Sequence, residues 1–136
     1  MSKHTIADGW RIATVAAAGQ LGLPLSYTVG LTGHGLPELA VQGLTGSRAK
    51  DLLTTAAEYT ITHGEPLGGQ RIDNTFGELA VAVIDIDDTT VLPEAREIYG
   101  PLITARQLIW PDPQGLMPWQ GWSLGDAQEM LAGPPF

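Results

Sequence analysis

Alternating apolar and polar side chains in the first third of the chain predict β-structure. The alternation is clearest from Ser26 to Thr32, where Tyr27, Val29 and Leu31 fall on one face. The opposite face of this segment carries only small or polar residues. Four other segments rich in apolar residues are also predicted to be strands: residues 10–17, 39–44, 79–86 and 102–110. Gly33-His34-Gly35 is predicted to be a turn.

The spacing of apolar positions changes to the helical period after the third predicted strand. A helix is predicted over Ser47–Thr60, with Thr45 or Ser47 as its cap. His63-Gly64 ends this helix or a short strand that follows it. A short helix is predicted over residues 93–99, because Pro93 suits a first turn and Gly100 follows; another is predicted over residues 123–131. The stripe that defines the long helix consists of Ala49, Leu52, Leu53, Ala56 and Ala57.

This order of elements predicts an α+β fold in a single domain over residues 1–136. We expect a small, mostly antiparallel β-barrel with one main helix across one end and short extra helices. The resemblance described below covers residues 9–120, and residues 123–136 form a terminal extension.

Charge and composition exclude several classes of function. The net charge is −8 with only seven Lys plus Arg, so a general nucleic-acid surface or an anionic-membrane surface is not expected. There are no cysteines, so disulfides and thiolate chemistry are excluded. No leader or spanning segment is evident, and we expect a cytoplasmic protein. Charged residues make up only 16%, which fits surface hidden in a homodimer.

The start of the long helix is a candidate anion site. Arg48 and Lys50 would lie in the first turn, where cations oppose the helix dipole at a cost of about 0.3–1 kcal/mol each. Their placement makes sense if an anion such as a phosphate sits there, with Thr45 and Ser47 as further ligands. The alternative is a solvated helix start. The segment is not a Walker loop, because the Gly-Lys-Ser/Thr ending is missing.

A segment rich in tryptophan and proline follows the last predicted strand. Trp110 and Trp119 offer flat faces for a planar ligand, and Asp112 can accept a hydrogen bond from a ring N–H or a ribose hydroxyl. The alternative is that both tryptophans cover the core and Asp112 holds a turn.

Histidines and carboxylates near the second turn give weaker signals. His34 and Glu38 have metal-pair spacing, but Pro37 and Gly35 oppose a helix, so no metal site is expected. Glu38 lies in an apolar stretch and needs a partner, for which Arg71 or Arg106 is available; a solvent-facing strand end or a ligand carboxylate is the alternative. No serine lies in a nucleophile elbow, so a hydrolase lacks support.

Two resemblances refine this interpretation. Tyr27-Thr-Val-Gly-Leu31, His34-Gly-Leu-Pro-Glu-Leu-Ala-Val-Gln-Gly-Leu44 and the Trp-Pro-Asp segment at Trp110 resemble a bacterial and phage family, domain of unknown function 4262. That resemblance implies a class of protein and no established activity. The order of elements from Arg11 to Ile61 is also similar to that of split-barrel flavin-binding proteins, which is an analogy of fold alone. It implies a homodimer with a ligand between subunits.

Together these observations predict a domain that binds a planar or phosphorylated ligand, flavin- or nucleotide-like, with FMN or another nucleotide as the expected cofactor. Flavin-dependent redox chemistry is the reaction expected, if there is one, since the cofactor supplies the reactivity. The alternatives are a protein that sequesters a nucleotide signal, as a phage sponge would, and a protein-interaction module that uses the tryptophan segment. The predicted ligand-binding residues are Thr28, Thr32, His34, Thr45, Ser47, Arg48, Lys50, Trp110, Asp112 and Trp119.

Overall fold

A computed structural model describes residues 9–18, 21–44, 46–64, 82–86, 88–110, 116 and 128 of the chain. These residues form five strands and two α-helices, together with two 3₁₀ turns at Leu31–His34 and Thr89–Val91. The elements in chain order are β1 (Arg11–Ala18), β2 (Leu23–Val29), β3 (Glu38–Gln42), α1 (Gly46–His63), β4 (Ala82–Asp85), α2 (Pro93–Tyr99) and β5 (Ala105–Ile109).

The strands form one mostly antiparallel sheet in the order β1-β2-β3-β5-β4. The first three strands are neighbours in sequence and pair antiparallel. β5 then inserts between β3 and β4, parallel to β3 and antiparallel to β4. The α+β class is therefore confirmed. In the described part of the chain this sheet is open, and the closed barrel stays a prediction.

Helix α1 covers one face of the sheet. Its predicted apolar stripe is confirmed, because Ala49, Leu52, Leu53, Ala56 and Ala57 are all buried. These side chains pack against alternate residues of the strands, as the two-residue period of a strand requires. The sheet residues and neighbouring side chains in this cluster include Trp10, Leu39, Val41, Val83, Leu108 and Trp110.

Helix α2 covers the other face and is tied to the first two strands. Its bounds match the prediction, with Pro93 in the first turn and Gly100 after the last. The buried hydroxyl of Tyr27 accepts a hydrogen bond from the Glu94 N–H at 3.1 Å, and the Glu94 carboxylate pairs with Arg11. Burial raises the pKa of the Tyr27 hydroxyl above its ordinary value, and the charge of the nearby Arg11 offsets only part of this rise. The hydroxyl therefore stays neutral at physiological pH.

Two strand predictions are corrected at their ends. β2 ends at Val29, although the alternation continues to Thr32, because Gly30 turns the chain with a φ of 133° and Leu31 begins a 3₁₀ turn. β5 begins at Ala105 and not at Leu102, because Pro101 and Leu102 form a turn. The predicted strand over residues 79–86 is confirmed for Ala82–Asp85; residues 79–81 and the predicted helix over 123–131, apart from Gln128, lie outside the described residues.

Candidate functional site

Strand β3 separates two ends of the sheet, here named the Glu38 end and the Gln42 end after its first and last residues. Strand β2 is antiparallel to β3, with Leu25 opposite Gln42 and Tyr27 opposite Ala40. Later residues of β2 therefore lie closer to the Glu38 end. The parallel register of β5 puts Ala105 at the Glu38 end, so that Trp110 lies at the Gln42 end. Four residue steps separate the two ends by about 13 Å.

The Glu38 end is built around a buried carboxylate. Glu38 is 0% exposed, and its oxygens accept five hydrogen bonds. Three come from consecutive backbone N–H groups, those of Gly30 at 3.1 Å, Leu31 at 3.1 Å and Thr32 at 2.9 Å. The other two come from the hydroxyls of Thr28 at 2.7 Å and Thr32 at 2.6 Å. Such donors offset the cost of taking a carboxylate out of water.

Of the two predicted ion-pair partners of Glu38, the described residues include only Arg106. The donors to Glu38 in the described structure are N–H and hydroxyl groups, and Arg106 pairs instead with Asp85, at 3.1 Å from Nε to Oδ1. Arg71, the other predicted partner, lies outside the described residues. We name the carboxylate and its donors the Glu38 latch. The Tyr-Thr-Val-Gly-Leu and Pro-Glu-Leu stretches of the sequence are thus two halves of one hydrogen-bonded unit.

Gly30 makes the latch possible. A Cβ at this position would lie 2.3 Å from the carbonyl oxygen of Gly9 and 2.5 Å from Cα of Trp10. Its φ of 133° is also a backbone conformation that side chains disfavour. Because the chain turns here, three successive N–H groups converge on one carboxylate, an arrangement known as a nest.

The predicted ligand residues at this end therefore have structural contacts. Thr28 is buried, donates to Glu38 and accepts from the Leu39 N–H at 2.9 Å. Thr32 is half-buried, and both its N–H and its hydroxyl bind Glu38. His34 is exposed at the end of the 3₁₀ turn. A ligand-binding role for the three residues stays a prediction.

The Gln42 end is held by neutral groups. Trp110 is only 6% exposed, and its indole N–H donates to the Gln42 carbonyl at 2.8 Å. The Gln42 side chain donates in turn to the Ala18 carbonyl at 3.0 Å. The Gln128 amide accepts from the Trp110 N–H at 3.4 Å and donates to its carbonyl at 2.6 Å, as a neighbouring strand would. The indole thus belongs to the core, and stacking of a ligand on Trp110 stays a prediction.

The predicted anion site lies at the same end as Trp110. Ser47, Arg48 and Lys50 are exposed on the first turn of α1, whereas Ala49 points into the core. Thr45, together with Asp112 and Trp119 of the tryptophan segment, lies outside the described residues. The structure therefore brings Trp110 near the start of α1 and keeps both away from Thr28, Thr32 and His34, which lie at the Glu38 end.

A groove of about 620 Å³ opens at the Glu38 end. None of the predicted ligand-binding residues that the structure describes lines it. The described charged side chains in its lining are Arg96 on α2, Arg106 on β5, and Asp85 and Asp88 around the end of β4. The remaining lining residues are Pro37, Ile86, Thr89, Pro101, Leu102, Ile103, Thr104 and Ala105.

Each charged group of the groove is held by a neighbour. Arg96 donates from Nη1 to the Thr89 hydroxyl at 3.0 Å, and Arg106 pairs with Asp85. Asp88 accepts from the Thr90 hydroxyl at 2.6 Å and from the Thr90 N–H at 3.0 Å. These hydrogen bonds, the hydroxyl first, lower the pKa of Asp88 below its ordinary value, with a smaller contribution from Arg96. Asp88 is therefore charged at neutral pH.

The latch and the groove share a wall. The Glu38 N–H donates to the Thr104 carbonyl at 2.9 Å, and Pro37, immediately before Glu38, lines the groove. On the next strand the Ile86 N–H donates to the Ala105 carbonyl at 2.9 Å. The position of the groove wall therefore depends on the hydrogen bonds that hold the Glu38 end.

Sequence reasoning missed this groove because its residues come from separate stretches without a common motif. The available signals were Arg106 within an apolar strand and the three aspartates Asp85, Asp87 and Asp88 at the end of the predicted strand over residues 79–86. In the described residues no group of three His, Cys, Asp or Glu side chains could hold a metal ion. No helix there is both long and apolar enough to cross a bilayer.

Comparison with known proteins places the chain in a family but supplies no activity. No curated protein and no solved structure matches it. The model of the family described as Domain of unknown function (DUF4262) matches residues 5–123, which include the Glu38 latch and the whole described groove. The chain belongs to this family, the Domain of unknown function (DUF4262).

Proposed function

We propose that this protein binds a small planar or phosphorylated ligand, flavin- or nucleotide-like, in the groove at the Glu38 end. The observation that carries the proposal is the presence of Arg96 and Arg106 in one groove of about 620 Å³, beside apolar walls. Small-molecule sites usually have volumes of roughly 300–1,000 Å³.

Arg96 is the side chain best suited to hold an anionic group. It is half-buried, and its position on α2 is fixed because the Tyr27 hydroxyl binds the N-terminal turn of that helix. A guanidinium carries five N–H donors in a planar fork that fits two oxygens of a phosphate or carboxylate. The hydrogen bond to Thr89 uses one of the two Nη1 donors and orients the group.

Apolar side chains beside the arginines offer a surface for a ring. Ile103 is buried in the groove wall, and Pro37 and Pro101 flank the opening. Leu102 is 90% exposed, the most exposed of the large hydrophobic residues in the described structure. A planar ligand that covered Leu102 would remove apolar surface from water, which contributes roughly 25 cal/mol per Å².

The proposal is tested by titrating FMN and AMP into the purified protein and measuring dissociation constants by calorimetry. Arg96→Gln removes a charge-assisted contact, and we expect binding to weaken by about 10- to 100-fold. The matched control is the double variant Arg48→Gln, Lys50→Gln, which removes the cations at the start of α1 and should change binding less than twofold. The opposite pattern would place the ligand at the start of α1 and overturn the groove as the site.

Flavin-dependent redox activity and homodimerisation stay predictions within this proposal. A bound flavin would give the purified protein absorbance in the visible range. Native mass spectrometry would report the number of subunits together with any retained ligand. A nucleotide-sequestering protein would use the same groove, and binding of AMP without binding of FMN would favour that alternative.

A further inference from the structure

We infer that the ligand of this groove carries a single phosphate or carboxylate group with neighbouring hydroxyl or amine donors, and that Asp88 and Asp85 discriminate against polyphosphates. The inference rests on the proposed function and narrows it to a class of ligand. The charges of the described groove carry the argument.

The arginines of the groove are balanced by carboxylates. Among the described lining residues, Arg96 and Arg106 are the cations and Asp85 and Asp88 the anions, so the formal charges of these four side chains cancel. A site for a triphosphate or a pyrophosphate needs an excess of positive charge, from side chains, a metal ion or a helix terminus. One anionic group can bind at Arg96, whereas every further phosphate meets a carboxylate.

Asp85 and Asp88 are fixed in their positions by different contacts. Asp88 caps the 3₁₀ turn Thr89–Val91 through two hydrogen bonds from Thr90, so it cannot swing away from an incoming phosphate without losing both. Asp85 pairs with Arg106 and thereby reduces the attraction of that cation for a second phosphate. Among the described residues Arg96 forms no salt bridge with a carboxylate, and its guanidinium donates to the Thr89 hydroxyl.

The same carboxylates can act as acceptors. A carboxylate presents about four lone-pair sites, and Asp88 uses only part of this capacity on Thr90. A hydroxyl or amine on the ligand, within reach of the phosphate at Arg96, would satisfy the remaining lone pairs. A phosphomonoester with a sugar or sugar-alcohol chain has this chemistry, and FMN and AMP are two examples.

The test compares two pairs of ligands that share a ring: AMP with ATP, which differ in phosphate number, and FMN with FAD, which differ by a second phosphate and an adenosine. Dissociation constants are measured by calorimetry in EDTA, so that no divalent cation neutralises the phosphates. For whichever pair binds, we expect the monophosphate to bind at least tenfold more tightly. Raising the salt from 50 to 500 mM should narrow this ratio, because screening weakens repulsion between partly exposed charges.

Asp88→Asn is the decisive variant. Asparagine is as good a cap as aspartate, so the turn is retained while the charge is lost. We expect the affinity for ATP or FAD to rise about fivefold and that for the monophosphate to change less than twofold. Asp51→Asn is the control, since Asp51 is exposed on α1 and absent from the groove lining; it should leave the ratio unchanged.

Three results would overturn the inference while leaving the proposed function standing. These are a wild-type protein that binds ATP or FAD as tightly as the monophosphate, an Asp88→Asn variant with an unchanged ratio, and an Asp51→Asn variant with the same effect as Asp88→Asn. If neither pair of ligands binds to the wild type or to Asp88→Asn, the proposed function itself fails and the inference falls with it.

Discussion

Each end of β3 carries a buried polar side chain, and the two side chains are hydrogen-bonded in different ways. At one end the Glu38 carboxylate collects five hydrogen bonds from a tight turn and two threonines. At the other end, the Gln42 side chain and the Trp110 indole each donate to a backbone carbonyl group. The Glu38 carboxylate is the shared acceptor of five donors, so its loss disturbs a whole turn, whereas the loss of a neutral donor at the Gln42 end leaves the neighbouring backbone in place.

The two ends also differ in whether they carry the candidate binding groove. The groove lies at the Glu38 end, where the Glu38 N–H holds Thr104 in the groove wall. The Gln42 end is closed by the Trp110 indole and the Gln128 amide. The rigid Glu38 latch lies beside an open groove, as expected where a binding surface must keep its shape before the ligand arrives.

The largest effect on stability is expected from removing the carboxylate of the Glu38 latch. Glu38→Leu leaves three N–H groups and two hydroxyls without their acceptor, and should lower the free energy of unfolding by about 3–5 kcal/mol. Gln42→Leu, of similar size, removes the donor to the Ala18 carbonyl and should cost about 1–2 kcal/mol. Urea unfolding measures both. Equal losses would show that the two ends do not differ as described.

The next effect tests the turn that supplies the donors. A methyl group at Gly30 collides with the backbone of Gly9 and Trp10, so Gly30→Ala should cost about 3 kcal/mol or more. Gly35→Ala is the control: its φ is also positive, at 76°, but nothing lies within 4 Å of the added carbon. It should cost about 1–2 kcal/mol. Thermal unfolding that ranks the two variants equally would contradict the steric argument.

Both helices of the described fold could be predicted from short-range patterns in the sequence. The period of the α1 stripe and the Pro93 and Gly100 signals of α2 depend on residues close in sequence. Both helices form, α2 with the predicted bounds and α1 three residues beyond the predicted end at Thr60, to His63. The Glu38 latch was not predictable, because its donors are mostly backbone groups that become available only when Gly30 turns the chain. The groove was not predictable either, since Arg96, Arg106 and Asp88 meet only after β5 inserts between β3 and β4.

The smallest effect is expected at the Gln42 end. Gln128→Ala removes the amide that pairs with both backbone groups of Trp110, and should cost about 1–2 kcal/mol in urea unfolding. Binding of FMN or AMP should be unchanged, because the groove lies at the opposite end of β3. A variant with normal stability and weakened ligand binding would reverse the roles assigned to the two ends.

The central claim is that ligand binds at the Glu38 end and not at the Gln42 end. The most direct test is a titration of the ¹⁵N-labelled protein with FMN or AMP, followed by two-dimensional NMR. We predict that amide signals of residues 88–92, 94–96 and 102–106 shift, while the Trp110 indole N–H and the amides of Ser47–Lys50 do not. Shifts at Trp110 and Ser47–Lys50, with the groove signals unmoved, would contradict the account.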